Sequence, residues 1–228
     1  MLERFLKKSQ ERKDDIDSLI NESIVELSAP ILKNFDDLMV YYKCAIMEIE
    51  TKLRVLNEEF SLQHDRNPIS SIQSRLKKIQ SIKGKLDKQD KPFTVSSIEE
   101  NLHDVAGVRV ICSFPEDVYL VADALLKQDD IILLNKKDYI ENPKPNGYRS
   151  LHLIVQVPIF LANEKKLMKV EIQLRTIAMD SWAALEHQLR YKKDSQFTDD
   201  MAEELQRCAE ISSELDRRMG ALKSKLHK

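Results

Sequence analysis

Apolar positions recur along this chain with two different periods. From residue 1 to 27, Leu2, Phe5, Ile16, Leu19, Ile20, Ile24 and Leu27 stand mostly three or four apart on a charged background, which predicts a helix. Pro30 interrupts it. Leu38, Tyr42, Ile46, Ile49, Leu53, Leu56 and Phe60 then form a wide stripe that predicts a second helix closing near Asn67-Pro68. Ile72, Leu76, Ile79, Ile82 and Leu86 continue the helical spacing through residues 72–91. Ser96-Ser97-Ile98-Glu99-Glu100 reads as a short helix start, with a serine cap and acids in the first turn.

The period then changes. Gly107-Val-Arg-Val-Ile-Cys-Ser-Phe114 is apolar on both faces, as an interior strand is. A helix from Pro115 to about Lys127 follows, and then strands at Ile131–Tyr139, Ser150–Val157 and Met168–Arg175. In the last of these Val170, Ile172 and Leu174 point one way, and Glu171, Gln173 and Arg175 the other. Helical spacing returns over Thr176–Lys193, with Trp182 expected in the core, and over Thr198–Leu226. There Leu205, Cys208, Ile211, Leu215, Met219, Leu222 and Leu226 make one heptad-like stripe. The expected fold is mixed α/β. A sheet of four or five strands is flanked by the helices at 38–66, 116–127 and 176–193, in three parts: N-terminal helices 1–66, a core 67–193 and a C-terminal helix 194–228.

Charge and composition narrow the function. With 36 basic and 38 acidic residues the net charge is −2, so bulk charge cannot drive polyanion binding and any phosphate site must be a local cluster. One such cluster exists: residues 72–91 hold seven cations against two acids. No apolar run approaches the ~18 residues of a membrane span, and the N-terminus lacks the apolar centre of a signal peptide. Cys44, Cys112 and Cys208 are far apart, without zinc-site spacing, and are expected to be reduced core thiols of a cytoplasmic protein.

The stretch Lys144-Pro-Asn-Gly-Tyr-Arg-Ser-Leu-His152 sets an aromatic ring, Tyr148, where a turn meets a strand, with Lys144, Arg149 and His152 around it. A ring beside cations suits a base carrying phosphates. A hairpin corner with a packed tyrosine and a solvated charge fringe fits the same residues. Asp104, before one strand, and Glu171, on the polar side of another, are a carboxylate pair of the kind that holds Mg²⁺ at a nucleotide. A helix-capping Asp and a Glu paired with Arg175 would look alike in sequence.

Taken together, Ser74-Arg-Leu-Lys77 with Ser81 and Lys85, Asp104-Val-Ala-Gly-Val-Arg109, the Lys144–His152 stretch, Val170-Glu-Ile-Gln-Leu-Arg-Thr176 and Trp182-Ala-Ala-Leu-Glu-His187 are similar to motifs of one family. The chain resembles the synthetase domain of the Rel/Spo alarmone enzymes, specifically the stand-alone small synthetases of the RelP type. The resemblance implies a nucleotidyltransferase-like fold. It also implies Mg²⁺-dependent transfer of the β,γ-pyrophosphate of ATP to the 3′-hydroxyl of GDP or GTP, giving ppGpp or pppGpp and AMP in the stringent stress response. On that resemblance Asp104 and Glu171 look like the Mg²⁺ ligands, and Glu171 also like the group that orients or deprotonates the 3′-hydroxyl. Arg75 and Arg109 look like an adenine sandwich. Lys77, Ser81, Lys85 and Lys88 look like ATP phosphate contacts. Tyr148 looks like the guanine platform, with Lys137, Lys144, Asn146, His152 and Gln173 around the acceptor. Lys88 and Lys137 stand where relatives can carry Arg, and a lysine lacks the two-pronged fork.

A homotetramer held by the terminal helices, regulation by an alarmone or an RNA, and no alarmone hydrolysis are further expectations. The competing classes are a nucleotide- or RNA-binding regulatory module without catalysis, and a nucleotidyltransferase that releases pyrophosphate.

Overall fold

The structure is a computed structural model that describes residues 29–64, 66–190 and 197–226. The helix expected over 1–27 and the residues 191–193 closing the next-to-last helix lie outside them. Helix α1, Ala29–His64, is followed by strand β1, Ile69–Leu76, and two short helices, α2 at Ile79–Asp87 and α3 at Val95–Asn101. Next come β2, Ala106–Cys112, α4, Pro115–Leu126, β3, Ile132–Asp138, β4, Leu151–Phe160, and β5, Lys165–Thr176. Helices α5, Ile177–Arg190, and α6, Asp199–Leu226, end the chain.

The five strands form one mixed sheet in the order β1-β2-β5-β4-β3. Only β2 and β5 run parallel; the other pairs are antiparallel. One side of the sheet is apolar. Val108, Val110, Leu151, Leu153, Val155, Val170, Ile172 and Leu174 are buried there in one core with Leu38, Ile49 and Leu53 of α1 and Val118, Val121 and Leu125 of α4. Each such fully buried aliphatic side chain stabilises the fold by about 1.5–3 kcal/mol. Helices α1 and α4 thus share one face, where the sequence suggested cover on both sides. The other face carries the polar half of each alternation.

The segment 72–91 differs from its expected single helix. Residues 69–76 form edge strand β1 against β2, and the helix begins only at Ile79. Ile72 and Leu76 are four apart, a separation that puts two residues on one face in a strand as well as in a helix. The cap of α3 is Thr94, whose Oγ1 accepts from the Ser97 N–H at 3.2 Å, rather than a serine. Of the cysteines, Cys112 is buried and burial pushes its thiol up to about 12, while Cys44 is half-buried and Cys208 exposed.

Helix α6 closes one end of the polar face. Its Leu205 carbonyl accepts from the Trp182 indole at 2.9 Å, its buried Asp216 accepts from Thr176 Oγ1 at 2.6 Å, and its Lys223 pairs with Glu116 at the start of α4. Trp182 is buried, as expected, in a small cluster with Ala183 and Ala209.

Candidate active site

Strand register assembles the site. Gln73, Arg109, Gln173, His152 and Lys137 are successive partners across β1, β2, β5, β4 and β3, a polar row the full width of the sheet. The neighbouring row is Arg75, Gly107, Glu171, Ile154 and Asn135. Six of the residues singled out in the sequence stand in these two rows, brought together by strand pairing from Arg75 on β1 to Gln173 on β5.

Gln73, Ser74, Arg75, Gly107, Val108, Arg109, Glu171 and Gln173 line an open cleft of about 380 Å³. Gly107 lies under Arg75: a Cβ there would stand 3.5 Å from the arginine Cγ and Nε. Arg75 is exposed and Arg109 half-buried. Burial, helped by the charges of Arg175 and Arg75, pulls the Arg109 pKa down. Its Nε is buried with no hydrogen-bond partner, and its Nη1 lies 3.5 Å from Asp180. Two guanidiniums at one cleft suit a flat base between them.

A second group surrounds Tyr148. The turn is closed by Gly147 N–H to the Lys144 carbonyl at 2.8 Å, and Asn146 Oδ1 accepts from the Tyr148 N–H at 3.2 Å. Asn146 also donates to Glu186, at 3.4 Å. Lys144 Nζ sits 4.9 Å from the Tyr148 ring centre and 4.7 Å from that of Tyr139. The Tyr148 hydroxyl meets His152 Nε2 at 2.9 Å and accepts from Arg175 at 2.7 Å. Burial, with the charges of Arg175, Lys144 and Lys137, pushes His152 down to about 4, so its ring is neutral at physiological pH. Arg149 takes no part in this group, because it donates to the Ile140 carbonyl at 2.9 Å and braces the turn.

The two groups meet at Glu171. Its Oε2 accepts from Gln173 at 3.0 Å, and its Oε1 lies 3.7 Å from His152 Nδ1.

Asp104 belongs to a third group. Lys77 stands 2.5 Å from its Oδ2 and Lys85 2.9 Å from its Oδ1. Burial pushes this carboxyl up, but the hydrogen bonds and charges of the two lysines outweigh it and hold the pKa below the usual Asp range. Two cations of the basic segment therefore turn inward onto a carboxylate. Lys83 pairs with Asp87 one turn on, and Ser81 and Lys88 are exposed. The structure pairs Asp104 with lysines rather than with Glu171. Both carboxylates border the neighbouring strands β2 and β5, and both are oxygen donors of the kind Mg²⁺ takes. Among the described residues no three metal-capable side chains cluster.

Two residues of this site were missed in the sequence. The sequence offers Arg175 only as one of a polar row, a possible partner of Glu171 and part of a family motif, and gives Asp180 no role. Arg175 is 5% exposed and donates to Asp180 at 2.9 Å. A guanidinium at the last turn of a strand, five residues before an acid on a helix, was the signal available.

Comparison with known proteins places the chain. A family profile described as "Region found in RelA / SpoT proteins" matches residues 74–196. The chain belongs to the small alarmone synthetases of the RelA/SpoT family. It is 41% identical over 196 residues to the GTP pyrophosphokinase YwaC of Bacillus subtilis, covering 86% of this chain and 93% of that protein. It is 32% identical to YjbM of the same organism over 85% of this chain and 90% of the relative. The crystal structure of small alarmone synthetase 2 from Bacillus subtilis superposes with a TM-score of 0.77 at 40% identity, covering 84% of this chain and 99% of that one. Small alarmone synthetase 1 from the same organism, bound to its product pppGpp, superposes with a TM-score of 0.77 at 33% identity, covering 86% and 100%. The same relative bound to AMPCPP gives 0.71 at 29% identity, covering 86% and 99%. The mixed sheet and flanking helices expected from the sequence are the fold of this family.

Proposed function

We propose that the chain transfers the β,γ-pyrophosphate of ATP to the 3′-hydroxyl of GDP or GTP and releases AMP. The observation that carries this reading is that an arginine-lined cleft and an aromatic ring flanked by cations share one sheet face, with a carboxylate between them. The Arg75/Arg109 cleft suits adenine and the Tyr148 ring suits guanine, and Glu171 lines the first while facing His152 of the second. A product-bound and a nucleotide-bound relative of the same fold support it.

In this reading Lys77 and Lys85, now on Asp104, exchange that carboxylate for phosphate oxygens when ATP binds, with Ser81 and Lys88 further along α2. Lys144, Lys137, Asn146, His152 and Gln173 hold the acceptor, and Glu171 orients or deprotonates its 3′-hydroxyl. Asp104 and Glu171 would hold Mg²⁺, which neutralises phosphate charge when bound.

The exposed outer stripe of α6 supports a homotetramer. Ile211, Leu215, Met219 and Leu222 are each about half exposed or more while the inner face of the same helix is docked. No described helix is long and apolar enough to cross a membrane, which suits a cytoplasmic enzyme.

The test is labelled ATP incubated with GDP or GTP and Mg²⁺, followed by product separation. AMP and a 3′-pyrophosphorylated guanine nucleotide are expected from the native chain and neither from Glu171→Gln. Free pyrophosphate, or binding without turnover, would overturn the proposal. So would a folded Glu171→Gln of normal rate, as far as Glu171 is concerned. Manganese-dependent release of pyrophosphate from ppGpp by the purified chain is not expected.

A further inference from the structure

Arg175 stands at the head of two hydrogen-bonded arms that run toward Glu171: one reaches it through Gln173, and the other stops at His152, beside it. It is 5% exposed, and its Nη2 donates to the Tyr148 hydroxyl at 2.7 Å and to Gln173 Oε1 at 3.1 Å, while Nη1 donates to Asp180 at 2.9 Å. A guanidinium can only donate, so it sets the direction of every bond downstream.

In the first arm the Gln173 oxygen is taken by Arg175, and the amide therefore turns its NH₂ to Glu171 Oε2, at 3.0 Å. In the second arm the Tyr148 oxygen accepts from Arg175, and the arrangement that leaves no phenolic proton without a partner sends it to the other neighbour, His152 Nε2, at 2.9 Å. Nε2 then accepts, and a neutral imidazole with a bare Nε2 carries its proton on Nδ1. Nδ1 is the atom that faces Glu171 Oε1, 3.7 Å away. Glu171 Oε2 thus accepts a hydrogen bond, and Oε1 has the His152 Nδ1 edge beyond hydrogen-bond distance but facing it; both arms start from one buried side chain. Asp180 holds the guanidinium itself in place.

We propose that Arg175 is a positioning residue for the transfer: acting through Gln173 and through Tyr148 and His152, it fixes the His152 tautomer and the orientation of the Glu171 carboxylate. The role in turnover rests on the reading of Glu171 given above; the tautomer does not. The Tyr148 hydroxyl then has a task separate from the ring, because it ties the platform for the acceptor base to the carboxylate beside the acceptor hydroxyl.

Heteronuclear NMR of the full chain, labelled at the histidine ring nitrogens, reads the tautomer without any turnover, with His152→Gln identifying the signal. The expected result is a proton on Nδ1 in the native protein. In Tyr148→Phe the direction is lost, and His152 should show the Nε2–H form or a mixture. The same variant should lower kcat about 10- to 100-fold, the usual loss when a supporting partner is removed, with the KM for ATP unchanged. Arg175→Lys keeps the charge but not the fork, and should do likewise. If Arg175→Lys fails to fold, Tyr148→Phe alone decides. A native His152 protonated on Nε2 would overturn the relay, as would a Tyr148→Phe protein with native tautomer and native kcat. If the native chain makes no alarmone, the proposed function fails, and the tautomer measurement still judges the relay on its own.

Discussion

Removing the ring of Tyr148 takes away a stacking surface, whereas removing its hydroxyl takes away an atom held by Arg175 and His152. The two effects separate. Tyr148→Ala should weaken guanine-nucleotide binding by about 1–3 kcal/mol, the worth of one base–aromatic stack, with ATP binding unchanged. Tyr148→Phe should keep that affinity. Calorimetric titration of both variants with GDP checks this, and equal weakening by the two would place the binding energy in the hydroxyl. Asp104 offers a test through pH. Its folded pKa lies below its ordinary value because Lys77 and Lys85 outweigh burial. A depressed carboxylate contributes stability above its unfolded pKa and loses it as pH falls through the folded one. At neutral pH Asp104→Asn should therefore be less stable than the native chain, by about 1.5–3 kcal/mol for a charged hydrogen bond, and should melt lower. The two melting temperatures should converge as pH drops below the ordinary Asp value of 3.8. A gap that persists in acid would mean the pair contributes through packing rather than charge.

Among the elements, α6 and the turn before β4 constrain each other. Gly147 has φ +88, and a Cβ there would lie 2.5 Å from Ala209 Cβ on α6. Gly147→Ala thus meets two obstacles, a backbone conformation that side chains disfavour and a helix already in contact. It should cost about 1–3 kcal/mol from the backbone alone, and more from the clash. Adding Ala209→Gly should restore the clash part and leave the backbone part, at the expense of about 1 kcal/mol of helix propensity. Thermal melts of the two single variants and the double give the coupling. Strict additivity would show that α6 does not press on this turn. Strand β1 is the element whose identity sequence period misjudged. Its Arg75 reaches the cleft because β1 pairs with β2 and lays the side chain over Gly107. On a helix continuing from residue 72 the same arginine would have had no such strand partner.

At the scale of the whole molecule, one long helix carries two faces with different uses. The inner face of α6 holds Ala209 and Asp216 against the domain, and the outer face leaves Ile211, Leu215, Met219 and Leu222 exposed. In the assembly proposed above, a second copy of the chain covers these four apolar side chains. Light scattering of the native protein should give a multiple of the 26.5 kDa chain mass, and Leu215→Glu with Leu222→Glu should shift it toward that monomer. A native mass near the monomer at all concentrations would remove the outer stripe from any role in assembly.

The sequence by itself determined which segments are strands and helices wherever burial follows one clear period, as in β5, where Val170, Ile172 and Leu174 alternate with Glu171, Gln173 and Arg175. It also pointed to the residues of the site, because a turn-bound aromatic, clustered cations and strand-end carboxylates are unusual side chains in those places. Four-residue spacing is shared by both periods, so it could not separate β1 from a helix. What only the tertiary structure decided is adjacency. The parallel pairing of β2 with β5 sets Gly107 beside Glu171 and Arg109 beside Gln173, and the antiparallel pairing of β4 with β5 sets His152 beside Gln173. Register is a property of paired strands, fixed by how both bury their apolar halves against α1 and α4, and no single segment contains it. The direction of the bonds from Arg175 to Glu171 is decided in the same way, because it depends on side chains from β4, β5 and the turn before β4 meeting around one buried guanidinium.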